Sequence, residues 1–248
     1  MSTTVSPPSA GVPTQSASKR DIWIVFSIVP AFYMAFGVIF FALARTMPPP
    51  RPDVTTAQKV EFFAAHGLTI QIGFGILILV VGGAGVANGI VVYHMKRMTS
   101  GSVMAYVYLG GMAVGALPGC LLVAFCFLAA TFRPDRDPEV MALLYDLGCL
   151  SYVGSLGCFT TAYFGFAIAI LYDRNNIFPK WLAYVTVWQI VTEILAVPVF
   201  VAPSGPFSWN GSMSFWTGTA IFGFWLSCVI FFLKKANELQ PADQAPLP

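Results

Sequence analysis

Glu193 is the side chain best placed to do chemistry in this 248-residue chain. It stands 14 residues into an apolar run at 179–201, with Gln189 four residues before it and Thr186 seven before it. Offsets of four and seven put all three on one helical face, and Thr192 lies beside them. An ionisable group is costly in hydrocarbon, so it turns toward a bundle interior or a cavity. The functional reading is a proton-coupling or cation-coordinating group, or the polar anchor of a ligand pocket. The structural reading is a neutral glutamic acid hydrogen-bonded to a neighbouring helix.

The other candidate groups are fewer and plainer. Asp146 falls eight residues after Pro138 and shares a face with Glu139 and Leu143, which suits a solvated helix start. Asn88 and Gln71 are lone amides suited to interhelical hydrogen bonds. The two histidines, His66 and His94, are 28 residues apart, roughly 42 Å along one helix. One subunit cannot bring both to a single haem or metal, which argues against histidine-rich di-iron enzymes and bis-histidine cytochromes. A lone His66 site with Glu61 or Asp53 is the residual metal possibility. Cys120, Cys126, Cys149, Cys158 and Cys228 fall in apolar runs without CxxC spacing, and read as small hydrophobes rather than disulfides or zinc ligands. Ser151 and Ser155 lack a histidine in the apolar runs to activate them. Phosphate-loop, dinucleotide and HExxH motifs are lacking. Asn210-Gly211-Ser212 fits a glycosylation acceptor but crowds the next apolar run. No catalytic residue, cofactor or metal is expected.

The elements that must position these residues follow from composition. The chain is 57% hydrophobic and 10% charged, against roughly 25% charged in soluble domains. Its mean hydropathy is +0.74. Such a chain is expected to be an all-α polytopic membrane bundle. Six runs are long enough to span a bilayer: about 22–44, 67–93, 103–132, 139–172, 179–201 and 213–233. The domain is expected over 21–235, between a disordered Ser/Thr/Pro-rich tail at 1–20 and a flexible tail at 236–248. Run 22–44 is too long for a signal-peptide core. Thr55 and Gln58 form a capping-box pattern, which predicts a short interfacial helix before the second span. Asp137-Pro138 reads as a cap and first turn.

An even number of spans puts both termini on one side. That side carries Lys19, Arg20, Lys96, Arg97, Arg174, Lys180, Lys234 and Lys235, against Arg45, Arg51, Lys59, Arg133 and Arg136 opposite. The balance predicts cytoplasmic termini. Gly111, Gly115 and Gly119 recur every four residues, as do Gly85 and Gly89. Small residues at that spacing allow close backbone approach, and predict packing of the second span on the third, or else an oligomer interface or a lipid site. Pro118 and Pro198 predict kinks.

The stretch 171–183, LYDRNNIFPKWLA, resembles a loop found in small bacterial polytopic membrane-protein families of unknown function. The resemblance implies a bacterial plasma-membrane protein and transfers no site residue. Three functions stay open: a non-enzymatic subunit or accessory protein of a membrane assembly, a small transporter or permease-like protein using Glu193, and an enzyme acting on a lipid or other apolar substrate. The first is preferred, so the chain is read as more plausibly not an enzyme. Expected partners are the lipid bilayer and a membrane protein or second copy. A formal charge of +2 offers no basic face for nucleic acid.

Overall fold

The computed structural model describes residues 19–100, 102–133 and 135–239, and the described residues hold helices and no strand. Six helices are long and apolar enough to cross a membrane. They are α1 (Lys19–Leu43), α2 (Thr56–Met95), α3 (Ser102–Phe132), α4 (Pro138–Tyr172), α5 (Lys180–Phe200) and α6 (Ser212–Glu238). Their outward faces are apolar: Met34, Leu79 and Val201 are 73%, 83% and 84% exposed. That pattern is unsuited to water and suited to lipid, as a multi-pass membrane protein requires.

Local chemistry sets the helix starts. The Thr55 hydroxyl oxygen accepts a hydrogen bond from the Gln58 amide, while Gln58 Oε1 accepts one from the Thr55 amide. Asp137 caps α4 by accepting from the Glu139 and Val140 amides. The capping box opens α2 itself; no separate interfacial helix precedes that span, because nothing between Thr56 and Val80 interrupts the helical hydrogen bonds. The last helix runs to Glu238, beyond the expected end at 233, because Asn237 is buried against α2. The expected tail at 1–20 lies outside the described residues up to 18, and α1 already begins at Lys19. The expected tail at 236–248 lies outside them from 240 onward.

The helices pack in chain order, each against the next, and α6 returns to α1, closing a ring. α2 also reaches α4 across one end. Two buried clusters fill this ring. One joins Val29, Ile90, Tyr108, Phe166 and Val229 at the end holding Lys19 and Glu238. The other joins Phe40, Phe74, Phe127, Tyr145 and Val199 at the opposite end.

Every helix is interrupted between or beside these clusters. α1 ends in a π-turn at Ile39–Leu43, and α6 begins with one at Ser212–Thr217. α2 breaks at Val81, before Gly82. α3 carries a π-turn at Leu117–Leu122 containing Pro118, whose missing N–H cannot continue the ladder. α4 tightens to 3₁₀ at Ser155–Phe159, and α5 ends likewise at Val197–Phe200 with Pro198.

Gly111, Gly115 and Gly119 pack on α4, not on α2 as their spacing suggested. A methyl at Gly111 would sit 2.7 Å from the Ala162 amide nitrogen, and one at Gly115 would sit 2.5 Å from the Phe159 ring. At Gly119 it would meet Ser155 Oγ at 2.9 Å. Gly85 and Gly89 face outward with open space beside them.

Candidate functional site

Between the two buried clusters lies a cavity of about 160 Å³ to which all six helices contribute. The sequence order shows its depth. On α1, Val29 belongs to the first cluster, Phe32 and Phe36 line the cavity, and Phe40 belongs to the second. The order repeats on α3 with Tyr108, Ala116 and Val123, and in reverse on α4 with Cys149, Leu156 and Phe166. The cavity therefore lies at middle depth between the clusters, and it reaches the loop after α1 at Met47.

Its lining is apolar with a polar strip on α5. Glu193 and Gln189 both line it, 3% and 1% exposed. Gln189 Nε2 donates to Glu193 Oε1 at 2.5 Å. Glu193 Oε2 and Gln189 Oε1 have no hydrogen-bond partner. Buried acceptors are normally satisfied, and an orphan costs about 1–3 kcal/mol. No Lys, Arg or His lines the chamber, so the walls supply no cation to Glu193.

Thr186 shares the face of Glu193 but not the cavity wall. Seven residues of helix advance roughly 10 Å along the axis, which places it one level nearer the termini. There its hydroxyl donates to Leu182 O and accepts from Trp225 Nε1 at 3.0 Å. Trp225 does line the cavity, so Thr186 orients a wall residue of α6. Thr192 donates to Gln189 O, which fixes the turn carrying both polar groups.

Aromatic residues complete the wall, and the sequence reading did not single them out. Tyr163 meets Trp225 edge to face with centroids 4.9 Å apart, and Phe222 stacks near Trp225 at 6.0 Å. Tyr33 sits 6.2 Å from Phe222 across the α1–α6 seam. Phe159–Tyr163 and Phe32–Phe36 recur at four-residue spacing, a signal that ordinary core packing produces equally well. Asn88 also reaches the cavity and accepts from Tyr108 at 3.2 Å. Gln71 instead donates to Thr131 O, joining α2 to α3.

The remaining candidates lie elsewhere. Asp146 is not a free, solvated helix-start acid: it receives Lys59 Nζ at 2.6 Å on each carboxylate oxygen. Asp53 receives the Arg51 guanidinium, and that hydrogen bond holds its carboxyl below the ordinary value. This pairing separates Asp53 from any joint site with His66, whose ring packs on Phe62. His94 is buried between Asn237 and Arg97. Among the described residues, no three His, Cys, Asp or Glu side chains gather for a metal, and all five cysteines are free.

Fold and site together define a class: a six-helix bundle of membrane-spanning length built around an aromatic chamber whose lining includes one carboxyl, Glu193. Comparison with protein families, with characterised proteins and with solved structures gives no match to this chain.

Proposed function

We propose that the protein is a small transporter or permease-like protein of the plasma membrane, with both termini cytoplasmic, that binds a small, largely apolar molecule in the central chamber. The observation that carries this reading is the enclosure of Glu193 and Gln189, with unpartnered oxygens, inside a cavity built by every helix. The helix interruptions support it. Residues Ala84, Gly119, Leu156 and Phe215 line the chamber at or beside the breaks in α2, α3, α4 and α6. Discontinuous helices around a mid-membrane site are a recurring device of carriers, and π-turns cluster at functional positions. The excess of Lys and Arg at the termini-bearing end supports the orientation.

The enzyme reading is weaker. Glu193 and Asp146 are the two acids available as general base, but Asp146 is engaged by Lys59 in the opposite half. The accessory-subunit reading keeps one observation in its favour. Gly82, Gly85 and Gly89 form an outward stripe on α2 where an added methyl meets nothing, which leaves room for another helix.

Transport is tested in proteoliposomes loaded with a small-molecule extract of the source cells. After dilution, wild-type vesicles should lose a defined compound faster than protein-free vesicles. Ala116→Trp, which fills the chamber, should abolish that difference. Equal retention by wild-type and protein-free vesicles would sink the proposal. A stoichiometric partner polypeptide released by Gly85→Leu would then favour the subunit reading.

A further inference from the structure

We infer that the chamber's ligand is an organic cation: a protonated amine carrying an apolar group of about one aromatic ring. This rests on the reading of the chamber as a ligand site and names the chemical class it takes.

Three features point to that class. The first is the sign of the missing partners. Both orphaned atoms, Gln189 Oε1 and, in the carboxylate form, Glu193 Oε2, are acceptors. They sit on neighbouring turns of one helix and line the same cavity. A ligand that satisfies them must donate hydrogen bonds, and an ammonium group brings up to three donors and no acceptor, as lysine's does. Against the Glu193 carboxylate, a ligand offering only a carbonyl or carboxylate would leave both oxygens unpaired and would set acceptor against acceptor.

The second feature is charge. Glu193 is enclosed, and no basic side chain lines the cavity with it. Buried charges are paired in folded proteins, and here the walls cannot supply the counter-charge. Gln189 Nε2 satisfies one carboxylate oxygen and leaves the other facing the chamber. A ligand cation would complete the pair.

The third feature is the aromatic wall. Tyr33, Phe159, Tyr163, Phe222 and Trp225 surround the polar strip from α1, α4 and α6. Ring faces attract cations, most strongly for Trp, and aromatic enclosures are a recurrent means of holding alkylammonium groups. The same rings bury the ligand's apolar part. Size bounds that part: an apolar protein cavity of about 150 Å³ holds one benzene, and this chamber measures about 160 Å³.

The test uses the full chain purified in an uncharged detergent, with three water-soluble probes of matched size: benzylammonium, benzyl alcohol and benzoate. Binding is read by isothermal titration calorimetry. Benzylammonium should bind at least tenfold tighter than benzyl alcohol, and benzoate should not bind. Glu193→Gln, which keeps shape and removes the charge, should bring benzylammonium down to the level of benzyl alcohol. Should Glu193→Gln fail to fold, the ranking of the probes on the wild-type chain decides the matter alone. Equal or tighter binding of benzyl alcohol would overturn the cation assignment and leave the chamber standing as a ligand site. Binding of none of the three would overturn the assignment and the ligand-site reading together.

Discussion

At the end of the bundle holding Lys19 and Glu238, the helices are tied by polar side chains, most of them aimed at backbone. Asp173 is buried and accepts from the Thr99, Asn175 and Ile177 amides at 2.9–3.0 Å. Lys180 donates to the carbonyls of Ile170, Leu171 and Asp173 at the C-terminal end of α4. Arg97 donates to His94 Nδ1, which leaves Nε2 to donate to Asn237 on α6. At the opposite end aromatic rings take over. Phe63, Phe127 and Tyr145 meet at centroid distances of 5.2–6.2 Å. Only their polar tips and neighbours reach the loop: Tyr145 donates to Arg51 O, and Trp209 to Pro50 O. Hydrogen bonds to backbone fix one register, because their geometry is narrow. Ring contacts hold by area and tolerate several orientations. The chamber lies where one kind of cohesion gives way to the other.

The largest expected effect tests how tightly each half is packed. Gly111, in the termini half, faces α4 backbone; an added methyl would lie 2.7 Å from the Ala162 nitrogen and 3.0 Å from its Cα. Gly148, in the other half, faces the Phe127 ring, 2.6 Å from the same methyl. A ring can turn by χ rotation, whereas a helix backbone must shift as a body. Gly111→Ala should cost about 3 kcal/mol and Gly148→Ala about 1 kcal/mol, read as thermal unfolding in detergent. Gly85→Ala, with open space around it, serves as the unstrained control. Equal costs at Gly111 and Gly148 would remove the distinction between the halves.

Much of this arrangement was legible in the sequence, and the rest was not for identifiable reasons. Span lengths and the caps at Thr55 and Asp137 are written in local composition and spacing, since a cap involves residues two or three positions apart. The shared face of Gln189 and Glu193 follows from helical period alone. That period does not give depth, so Thr186 was grouped with a cavity it does not reach. A glycine stripe likewise defines a face but not the partner, which proved to be α4. The pairing of Lys59 with Asp146 joins positions 87 residues apart, and no local pattern encodes it. The chamber requires closure of α6 on α1, a property of the whole ring. The motif at 171–183 is the converse case. Its Asp, Asn and Lys each bind backbone of the loop or of the end of α4: Asn175 donates to Arg97 O, and Asn176 adopts φ +52°, a conformation asparagine tolerates.

A second, smaller effect tests the ion pair that joins α2 to α4 in the aromatic half. Lys59 is 11% exposed at its side chain, and Asp146 is 37% exposed. Lys59 Nζ also lies 5.4 Å from the Tyr145 ring centroid. Lys59→Met keeps the stem and strands a half-buried carboxylate, and should cost about 2 kcal/mol in detergent. Replacing both partners, Lys59→Met with Asp146→Leu, should recover more than half of that loss, because apolar contacts already carry this end. A double variant no better than the single one would mean that the aromatic half depends on its ion pair and not on apolar contacts alone.

The smallest effect is confined to one loop. Asp173→Ala removes the acceptor for three backbone amides while leaving Lys180 on the α4 carbonyls. Loss of a capping acceptor costs about 1 kcal/mol. The change should appear as faster hydrogen exchange at Thr99, Asn175 and Ile177, with little shift in global unfolding. Amides around Arg51 and Pro50, in the ring-packed half, should exchange as before. Uniform acceleration in both halves would show that the two ends open together. Acceleration limited to the Asp173 loop would show that they open separately, as the alternating access of the proposed transporter would require.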